Sequence, residues 1–339
     1  MRKPTIRDVA EEAGISVATV SRVLNNKSGY GPETKERVQQ AIEKLGYQRN
    51  EIARNLKISK TNTIAVIVPT TTDSFFTKLI RGILKAARAY NYAVLLCDIG
   101  VNGKYSENDI RMLAERQISG IIACSIPPKL GVDQLMHQLR IPAVFVNSIS
   151  YNYKFPYIKI DDFQAMYSAT SFLIDQGHRD IAIISGALDD VIAGWPRREG
   201  YRHALREHQL PVREELEVVA DDFSYAYGAD AFDELLQRNV SFTGLVTCSD
   251  EVAAAVLAAA PHYDIHIPEN LSVVGFDGTA TALLTMPQLT TVSQPFEEMG
   301  YSAFKMLLSE KKSDNNQNGK ILQTKLEVRG STRKLERLE

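Results

Sequence analysis

The residues best suited to specific chemistry lie in one short segment, Thr5 to Leu24. Arg22 carries a guanidinium group, which can donate two parallel hydrogen bonds to O6 and N7 of guanine in a DNA major groove. Val17 and Ala18 offer apolar surface that suits a thymine methyl group or a close approach to the DNA backbone. Polar side chains able to hold backbone phosphates accompany them: Thr5, Ser16, Thr19, Ser21, Asn25 and Tyr47. This chemistry is DNA binding with sequence readout.

Two short helices around a tight turn are predicted to position these groups. Thr5 and Asp8 have the spacing of a capping box, so the first helix begins after Thr5. Gly14 suits the end of that helix, and Ser16 can cap the second. An apolar stripe at helical spacing faces the second helix: Ile6, Val9, Ala10 and Ala13. The pattern predicts a helix-turn-helix, with an ordinary helical hairpin as the alternative. Thr5 and Ser16 could be helix caps only, although capping and phosphate contact are compatible.

Composition places the chain among soluble globular proteins of two or three domains. It has 339 residues, 44% hydrophobic and 24% charged. We find no run long enough to cross a bilayer and no secretory signal pattern, so we expect a cytoplasmic protein without a membrane partner. Three cysteines without metal-ligand spacing, Cys97, Cys124 and Cys248, are predicted to be buried free thiols. We expect neither a metal nor a cofactor.

Charge is divided unevenly along the chain. Residues 1–60 carry 12 Lys and Arg against 7 Asp and Glu, whereas the remainder carries 27 against 34. A basic head on an acidic body suits a small nucleic-acid-binding unit, because cationic side chains neutralise phosphates and release counterions.

From Thr63 onward, short apolar strands alternate with amphipathic helices. This rhythm predicts parallel sheets covered on both faces by helices. It restarts after Tyr157 to Ile160, which indicates two α/β lobes of similar size with a cleft between them. Ligands of such sheets bind beyond the carboxyl ends of the strands, so the cleft is the expected pocket.

Four segments in order resemble the lactose-repressor (LacI/GalR) family of bacterial transcription regulators. They are Thr5 to Leu24, Gly31-Pro32-Glu33-Thr34, Leu45-Gly46-Tyr47 and Asn50 to Lys57. The resemblance spans essentially the whole chain and implies an all-α helix-turn-helix head and a two-lobed, periplasmic-binding-protein-like α/β core with three crossovers. The expected domains are 1–50 (head), 51–61 (hinge helix or linker) and 62–339 (core). Lobe 1 would cover about 62–160 and 293–325, and lobe 2 about 161–292 and 326–339. Ser309 to Lys320 is expected to be a surface loop.

The resemblance assigns DNA-binding roles beyond the helix-turn-helix. Val17 and Ala18 occupy the family's specificity positions. Glu51 to Ile58 is too short to hold a helix alone, and the family uses this segment as a hinge that orders on operator DNA and meets its dimer mate over the minor groove. Leu56 corresponds to the apolar wedge, flanked by Ala53 and Lys57. The alternative is a linker leucine packed on the core.

The resemblance also implies a sugar site in the cleft. Asp161, Arg197 and Asp277 match the family's ligand-binding aspartates and arginine. Phe75 and Phe76 follow the first strand, where Asp73-Ser74 replaces the family's frequent Asn-Pro, and a core role is their alternative. The other candidates are the stacking residue Phe223, the rim pair Ser249 and Asp250, and Gln294, with Trp195 as an additional lining residue.

The expected function is repression of a carbohydrate-utilisation operon in the bacterial cytoplasm, with the protein on the nucleoid when operator-bound. A homodimer would bind double-stranded, pseudo-palindromic operator DNA, and a small sugar or sugar phosphate between the lobes would control its affinity. The alternative is a catabolite-control regulator whose corepressor is a phosphorylated carrier protein. The helix after Gln294-Pro295 offers that partner only Lys305, beside Glu297 and Glu298, so phosphoserine would bind poorly there.

Two other classes fit less well. A glycosidase would use Asp189-Asp190 and Asp221-Asp222 as acid and base, but adjacent loop residues rarely converge on one bond. We therefore do not expect an enzyme. A secreted solute-binding protein would need an export signal and no DNA-binding head.

Overall fold

A computed structural model describes residues 4–25, 27–47, 61–69, 74–98, 107–127, 131–220, 222–310 and 319–335. The chain divides into two compact units, Met1–Thr61 and Asn62–Glu339. The predicted hinge residues Ala53, Leu56 and Lys57 lie outside the described residues. No helix in the described ranges is both long and apolar enough to cross a membrane.

The first unit is a helix-turn-helix, as predicted. Its helices are α1 (Ile6–Ala13), α2 (Val17–Leu24) and α3 (Pro32–Leu45). The Thr5 Oγ1 accepts from the Asp8 N–H at 3.4 Å, and the Asp8 carboxylate accepts from the Thr5 N–H at 2.6 Å, which confirms the capping box. Gly14 ends α1 in the left-handed region with φ 64°, and Ser16 Oγ caps α2 by accepting from the Thr19 N–H at 3.1 Å.

A small apolar core holds the three helices together. The fully buried members come from all three: Val9, Ala10, Ala13, Val20, Val23, Val38 and Ala41. Arg37 on α3 donates from Nη2 to the Ala13 carbonyl at 2.6 Å, so it satisfies a carbonyl that the end of α1 leaves open. The turn between α1 and α2 is therefore held in place by α3 as well as by the packing of α1 and α2.

Lobe 1 of the second unit contains one parallel sheet. Its strands are β1 (Thr63–Val68), β2 (Ala93–Asp98), β3 (Ile121–Cys124), β4 (Ala143–Val146), β5 (Tyr157–Ile160) and β11 (Lys320–Leu322), in the spatial order β11-β5-β4-β3-β1-β2. Its helices are α4 (Ser74–Ala89), α5 (Glu107–Glu115), α6 (Val132–Gln138) and α12 (Phe296–Glu310). Strands β1, β3 and β4 are buried almost throughout, as a sheet covered on both faces requires.

Lobe 2 repeats this architecture. Its strands are β6 (Ile181–Ser185), β7 (Glu217–Val219), β8 (Gly244–Thr247), β9 (Ser272–Asp277), β10 (Thr290–Ser293) and β12 (Lys325–Glu327), in the order β12-β10-β9-β8-β6-β7. Only the β10–β12 pair of this sheet is antiparallel. Its helices are α7 (Asp162–Asp175), α8 (Gly194–Glu207), α9 (Tyr225–Gln237), α10 (Asp250–Ala259) and α11 (Thr281–Leu284), with 3₁₀ turns at Glu214–Leu216 and Ala260–Tyr263.

The chain passes between the lobes three times, as the resemblance implied. It crosses from β5 to α7, from β10 to α12, and from β11 to β12. Helix α12 packs on α4, so it returns the chain to lobe 1. The two lobes are thus built from interleaved segments of one chain.

Helix α8 begins at Gly194, because the Asp190 carboxylate accepts the backbone N–H groups of Ile192, Ala193 and Gly194. Two sequence predictions need correction. Ser309 and Lys320 were expected in a surface loop, but Ser309 belongs to the last turn of α12 and Lys320 begins β11. Cys124 and Cys248 are buried free thiols as predicted, whereas Cys97 on the edge strand β2 is only half-buried.

Candidate functional site

The outer face of α2 presents the predicted base-reading residues to solvent. Val17 is 41% exposed. Ala18 and Arg22 are also exposed. Because Val20 and Val23 of the same helix are buried, the exposed and buried residues separate cleanly into two faces. Helix α2 therefore has the layout of a recognition helix.

The predicted phosphate-binding residues lie on α2 or close to the ends of the three helices of the first unit. Ser16 Oγ lies 2.9 Å from Thr19 Oγ1, and the Asn25 amide donates to the Ser21 carbonyl at 2.6 Å. Thr5 lies at the start of α1, as its capping role requires. The half-buried Tyr47 ring packs against the helical core. The Thr5 and Ser16 side chains are helix caps here, and their caps set the positions of the first turns of both helices.

In the second unit, most predicted effector residues gather at the carboxyl edge of the lobe 2 sheet. Ser249 follows β8, Asp277 ends β9 and Gln294 follows β10. Arg197 reaches the same edge from the first turn of α8. Parallel strands bring their carboxyl ends together, so residues far apart in sequence converge at the cleft.

Arg197 is the centre of this cluster. Its side chain is 4% exposed and its Cζ lies 3.7 Å from the centroid of the Phe276 ring. Nε and Nη2 donate to Asp162 Oδ1 at 3.0 and 2.9 Å, and Nη1 donates to the Cys248 carbonyl at 2.6 Å. Burial acts to lower the pKa of Arg197, but the carboxylates of Asp162 and Asp277 outweigh it and leave that pKa raised. The guanidinium is therefore a fixed, permanently charged group.

The hydrogen bonds of Arg197 leave part of its donor capacity open. A guanidinium has five N–H groups, and the bonds to Asp162 and Cys248 engage three of them. Within the described ranges, no partner accepts from the other two. A ligand with two neighbouring oxygens matches that remaining pair.

Phe223 supplies a second aromatic face beside Arg197. The Arg197 Cζ is 5.5 Å from the centroid of the Phe223 ring. The ring packs directly over Gly186, where a Cβ would lie 2.6 Å from Phe223 Cζ. Ser249 Oγ donates to the Phe223 carbonyl at 2.7 Å and also caps α10. The Ser249 hydroxyl thus fixes the backbone of Phe223, and Ser249 itself is only 2% exposed.

Asp277 and Gln294 form a second polar pair. Gln294 Nε2 donates to Asp277 Oδ1 at 2.8 Å, and Asn147 Nδ2 of lobe 1 approaches Gln294 Oε1 at 3.5 Å. Asp277 has φ 107°, a backbone conformation that costs free energy for a residue with a side chain. Such strain is found where a turn must place a particular group, and here it places a carboxylate at the cleft.

Four predicted effector residues make other contacts. Asp161 is exposed and caps α7 by accepting from the Gln164 N–H at 3.0 Å. Asp250 is fully buried inside lobe 2, where it accepts from the Thr279 N–H at 2.6 Å and from Thr291 Oγ1 at 2.6 Å. Phe76 is 4% exposed and belongs to the core. Phe75 packs edge-on against Phe76 and Phe296, with centroids 4.9 and 4.6 Å apart.

Some residues at the cleft carried no signal in the sequence. Asp162 and Lys159 contact each other at 3.3 Å beside Arg197. Ser74 Oγ of lobe 1 donates to Glu251 Oε1 of lobe 2 at 2.9 Å, and Lys78 Nζ donates to the Gly278 carbonyl at 2.6 Å. Surface-type residues such as these become recognisable only when the fold brings the two lobes together.

A helix-turn-helix head joined to a two-lobed α/β core with polar groups converging on the cleft defines a class: DNA-binding regulators with a ligand-binding core. Family models agree. Residues 5–50 match bacterial regulatory proteins of the lacI family, and residues 61–327 match the periplasmic binding proteins and sugar binding domain of the LacI family. The chain belongs to the LacI family of bacterial transcription regulators.

Three similar proteins illustrate the match. Catabolite control protein A of Priestia megaterium is 35% identical, over 89% of this chain and 91% of its own length. A structure of the transcriptional regulator CelR in complex with cellobiose is 30% identical, covers 97% of this chain and 100% of that chain, and has a TM-score of 0.75. The lac repressor dimer bound to operator and the anti-inducer ONPF is 22% identical, with a TM-score of 0.86 over 98% of this chain and 100% of that chain, and so shares the fold.

Proposed function

We propose that this regulator represses a carbohydrate-utilisation operon and that a small sugar or sugar phosphate, bound between the lobes, controls its affinity for a pseudo-palindromic operator. The observation that carries this proposal is Arg197, a buried guanidinium with two open N–H groups, which lies over the Phe276 ring and near the Phe223 ring. Vicinal hydroxyls or a phosphate would accept from those N–H groups. The Phe223 ring would cover an apolar face of the sugar.

Asp277 and Gln294 would complete the polar half of the site. A carboxylate accepts from sugar hydroxyls, and the amide of Gln294 fixes its orientation through the 2.8 Å bond to Asp277. Asn147 links this pair to lobe 1, so a ligand at Asp277 would be sensed by both lobes. The cellobiose held by the similar regulator CelR supports a carbohydrate as the ligand class.

A homodimer is part of the proposal, because a two-fold symmetric protein matches a pseudo-palindromic site. Side chains on and after α11 are strongly exposed for their type, with Leu284 at 83% and Met286 at 91%. Burial of these side chains against a second copy would remove a large apolar surface from water. In a sedimentation experiment, we expect the parent to be a dimer and Leu284→Glu to be a monomer.

We also propose that the chain is not an enzyme. Two of the four carboxylates that a glycosidase would use have structural contacts: Asp190 accepts three backbone N–H groups at the start of α8, and Asp222 accepts from the Ser224 N–H at 2.7 Å. Carboxylates engaged in this way stabilise turns. Asp221 lies outside the described residues.

A catabolite-control role with a phosphorylated carrier protein as corepressor is the second candidate, because a similar protein of 35% identity carries the name catabolite control protein A. Lys305, Glu297 and Glu298 are all exposed on α12, and Glu298 accepts from Lys320 at 3.2 Å. A phosphoserine on this face would meet two carboxylates. Operator binding that tightens with serine-phosphorylated carrier protein, and not with the unphosphorylated form, would favour this second function over the sugar.

The test of the main proposal combines two measurements. A panel of sugars and sugar phosphates is screened by thermal shift on the full chain, and each hit is then added to an operator-binding titration. We expect one class of sugar to raise the melting temperature and to change operator affinity by about five- to 150-fold, the usual range of allosteric coupling.

Arg197→Met should abolish both effects, because it removes the guanidinium while keeping the volume. Arg198→Met is the matched control on the same helix. Arg198 donates to Glu217 at 2.6 Å, and Arg202 remains bonded to Glu217 at 2.9 Å when Arg198 is lost. A panel without hits, or a hit bound equally well by Arg197→Met, would refute the proposed site.

A further inference from the structure

We infer that Asp162 is a positioning residue for effector binding, which holds the Arg197 guanidinium in the orientation that a ligand requires. The inference rests on the proposed function, in which Arg197 contacts the sugar. The neighbouring Asp161 is the acid that the family resemblance marks. The structure separates the two adjacent carboxylates, because Asp161 is exposed at the cap of α7 and Asp162 is 4% exposed beside Arg197.

One oxygen of Asp162 fixes the plane of the guanidinium. Oδ1 accepts from both Nε and Nη2 of Arg197, at 3.0 and 2.9 Å. Two bonds to one edge prevent rotation of the planar group, whereas the single bond from Nη1 to the Cys248 carbonyl leaves rotation about that contact open. With the edge fixed, the face of the guanidinium lies on Phe276 and its outer N–H groups keep one direction.

The second oxygen of Asp162 is engaged by the other lobe. Oδ2 lies 3.3 Å from Nζ of Lys159, which belongs to β5 of lobe 1. Nζ also approaches the Ile192 carbonyl of lobe 2 at 3.4 Å. Asp162 therefore stands between two cations, one from each lobe, at the first crossover of the chain. Because contacts with both cations hold the Asp162 carboxylate in place, it can in turn hold the Arg197 guanidinium in one orientation.

The charges of the two side chains also favour a positioning role for Asp162. A buried guanidinium without a carboxylate partner is costly, and a carbonyl oxygen compensates only part of its positive charge. If Asp162 lost its charge, Arg197 would turn toward another anion or toward water. Asp277 is the nearby carboxylate that contributes to the electrostatics of Arg197, and a turn toward it would withdraw the open N–H groups from the ligand.

The experiment compares Asp162→Asn with Asp161→Asn in the full chain, with a sugar that the panel shows to bind the parent. Asparagine at position 161 still caps a helix, so this variant is the matched control. We expect Asp162→Asn to raise the sugar dissociation constant at least about tenfold and Asp161→Asn to change it less than about twofold. In an Arg197→Lys background, Asp162→Asn should cause little further loss, because the group it positions is gone.

A second readout reports on Arg197 without any ligand. In the parent, NMR of isotope-labelled arginine should show slowly rotating, separately resolved Nη protons for Arg197, assigned by their loss in Arg197→Lys. Asp162→Asn should make this rotation fast. If the guanidinium is ordered in the parent and released in the variant but no sugar binds, the positioning role holds and the proposed function fails.

Three results overturn the inference. These are an unchanged sugar affinity in Asp162→Asn, an equal loss of affinity when Asp162→Asn is placed in the Arg197→Lys background, or an equally ordered guanidinium in the variant. Should Asp162→Asn fail to fold, Asp162→Glu keeps the charge and moves the carboxylate by one methylene. That variant should melt normally and bind sugar more weakly, and an unchanged affinity would contradict the inference as well.

Discussion

Among single residues, two arginines lie in opposite environments. Arg197 is buried, with its edge bonded to Asp162 and its face on Phe276. Arg22 is exposed on α2, beside the exposed Val17. A guanidinium held by protein can recognise a small ligand without rearrangement, whereas one on a long exposed side chain can follow the shape of a DNA groove.

Arg22 gives the first prediction at this scale. If its guanidinium hydrogen-bonds guanine, Arg22→Ala should lose roughly 1–3 kcal/mol of the binding free energy that depends on one symmetric G·C position of the operator. The affinity for random DNA should stay nearly the same. Electrophoretic mobility shifts on both DNAs measure the difference. Arg88→Ala, an exposed arginine in lobe 1, is the control. Equal weakening on both DNAs would make Arg22 a phosphate contact.

Asp250 makes the stability of lobe 2 depend on pH. Burial raises the pKa of its carboxyl to about 6, from a reference value of 3.8. The folded state therefore holds this proton more tightly than the unfolded chain. The stabilising contribution is complete below the unfolded pKa and is lost as pH rises through about 6.

Urea unfolding at several pH values tests this linkage. Between pH 5 and pH 7, the parent should lose about 1 kcal/mol of stability relative to Asp250→Asn, which cannot titrate. The exposed Asp175→Asn should follow the parent across this range. Parallel curves for the parent and Asp250→Asn would show that Asp250 does not bind the proton more tightly in the folded protein.

At the scale of elements, local sequence rules were sufficient for the head. Thr5 with Asp8, Gly14 and Ser16 act within three residues of the backbone groups they satisfy, so their spacing alone predicts where α1 and α2 begin and end. The start of α8 could not be predicted in this way. It depends on Asp190, whose carboxylate caps from an irregular loop without a fixed spacing.

The candidate site was predictable in part, for a similar reason. Arg197, Asp277 and Gln294 follow strands or begin a helix, so topology places them together. Of the adjacent Asp161 and Asp162, only Asp162 has its side chain buried. No sequence pattern distinguishes the two residues, because the difference depends on how α7 packs on α8. Strand β10, with its β-branched Thr290-Thr291-Val292, has a recognisable strand pattern, whereas β11 and β12, with three residues each, have little.

The α7–α8 contact gives a prediction about an element. Gly200 lies where a Cβ would overlap the Phe163 carbonyl oxygen of α7. Gly200→Ala should force the helices apart, cost about 1–3 kcal/mol by overpacking and shift Arg197, one turn earlier on α8. Chemical unfolding and sugar titration should both report the loss. Gly31→Ala, at a position with open space around it, should leave the core unchanged, and equal behaviour of the two variants would contradict the packing argument.

At the scale of the whole molecule, a few polar contacts join the two lobes of the core. Ser74 of α4 donates to Glu251 of α10, which also accepts from Thr281 Oγ1 at 2.6 Å. Lys78 of the same helix donates to the Gly278 carbonyl, next to Asp277. These contacts stabilise the lobe arrangement in which Asn147 reaches Gln294. A sugar that contacts both lobes would bind this arrangement best.

Removal of one interlobe contact should therefore weaken sugar binding from a distance. Ser74→Ala deletes one hydrogen bond and leaves Glu251 bonded to Thr281, so we expect the sugar dissociation constant to rise about two- to tenfold. Calorimetric titration measures the change. Thr77→Ala, on the exposed side of the same helix, should have no effect. An affinity as strong in Ser74→Ala as in the parent would show that the ligand does not depend on this lobe arrangement.

We expect occupancy of the cleft at Arg197 to be coupled to operator binding by α2, because both sites belong to one chain. Reciprocity is the most direct test of this coupling, because an effector that changes operator affinity by some factor must have its own affinity changed by the same factor when operator is present. The measurement is a pair of titrations: sugar into free and operator-bound protein, and operator into free and sugar-bound protein. We expect equal factors in the parent and in Arg198→Met, and no coupling in Arg197→Met. A sugar that binds tightly while operator affinity stays the same would contradict this expectation.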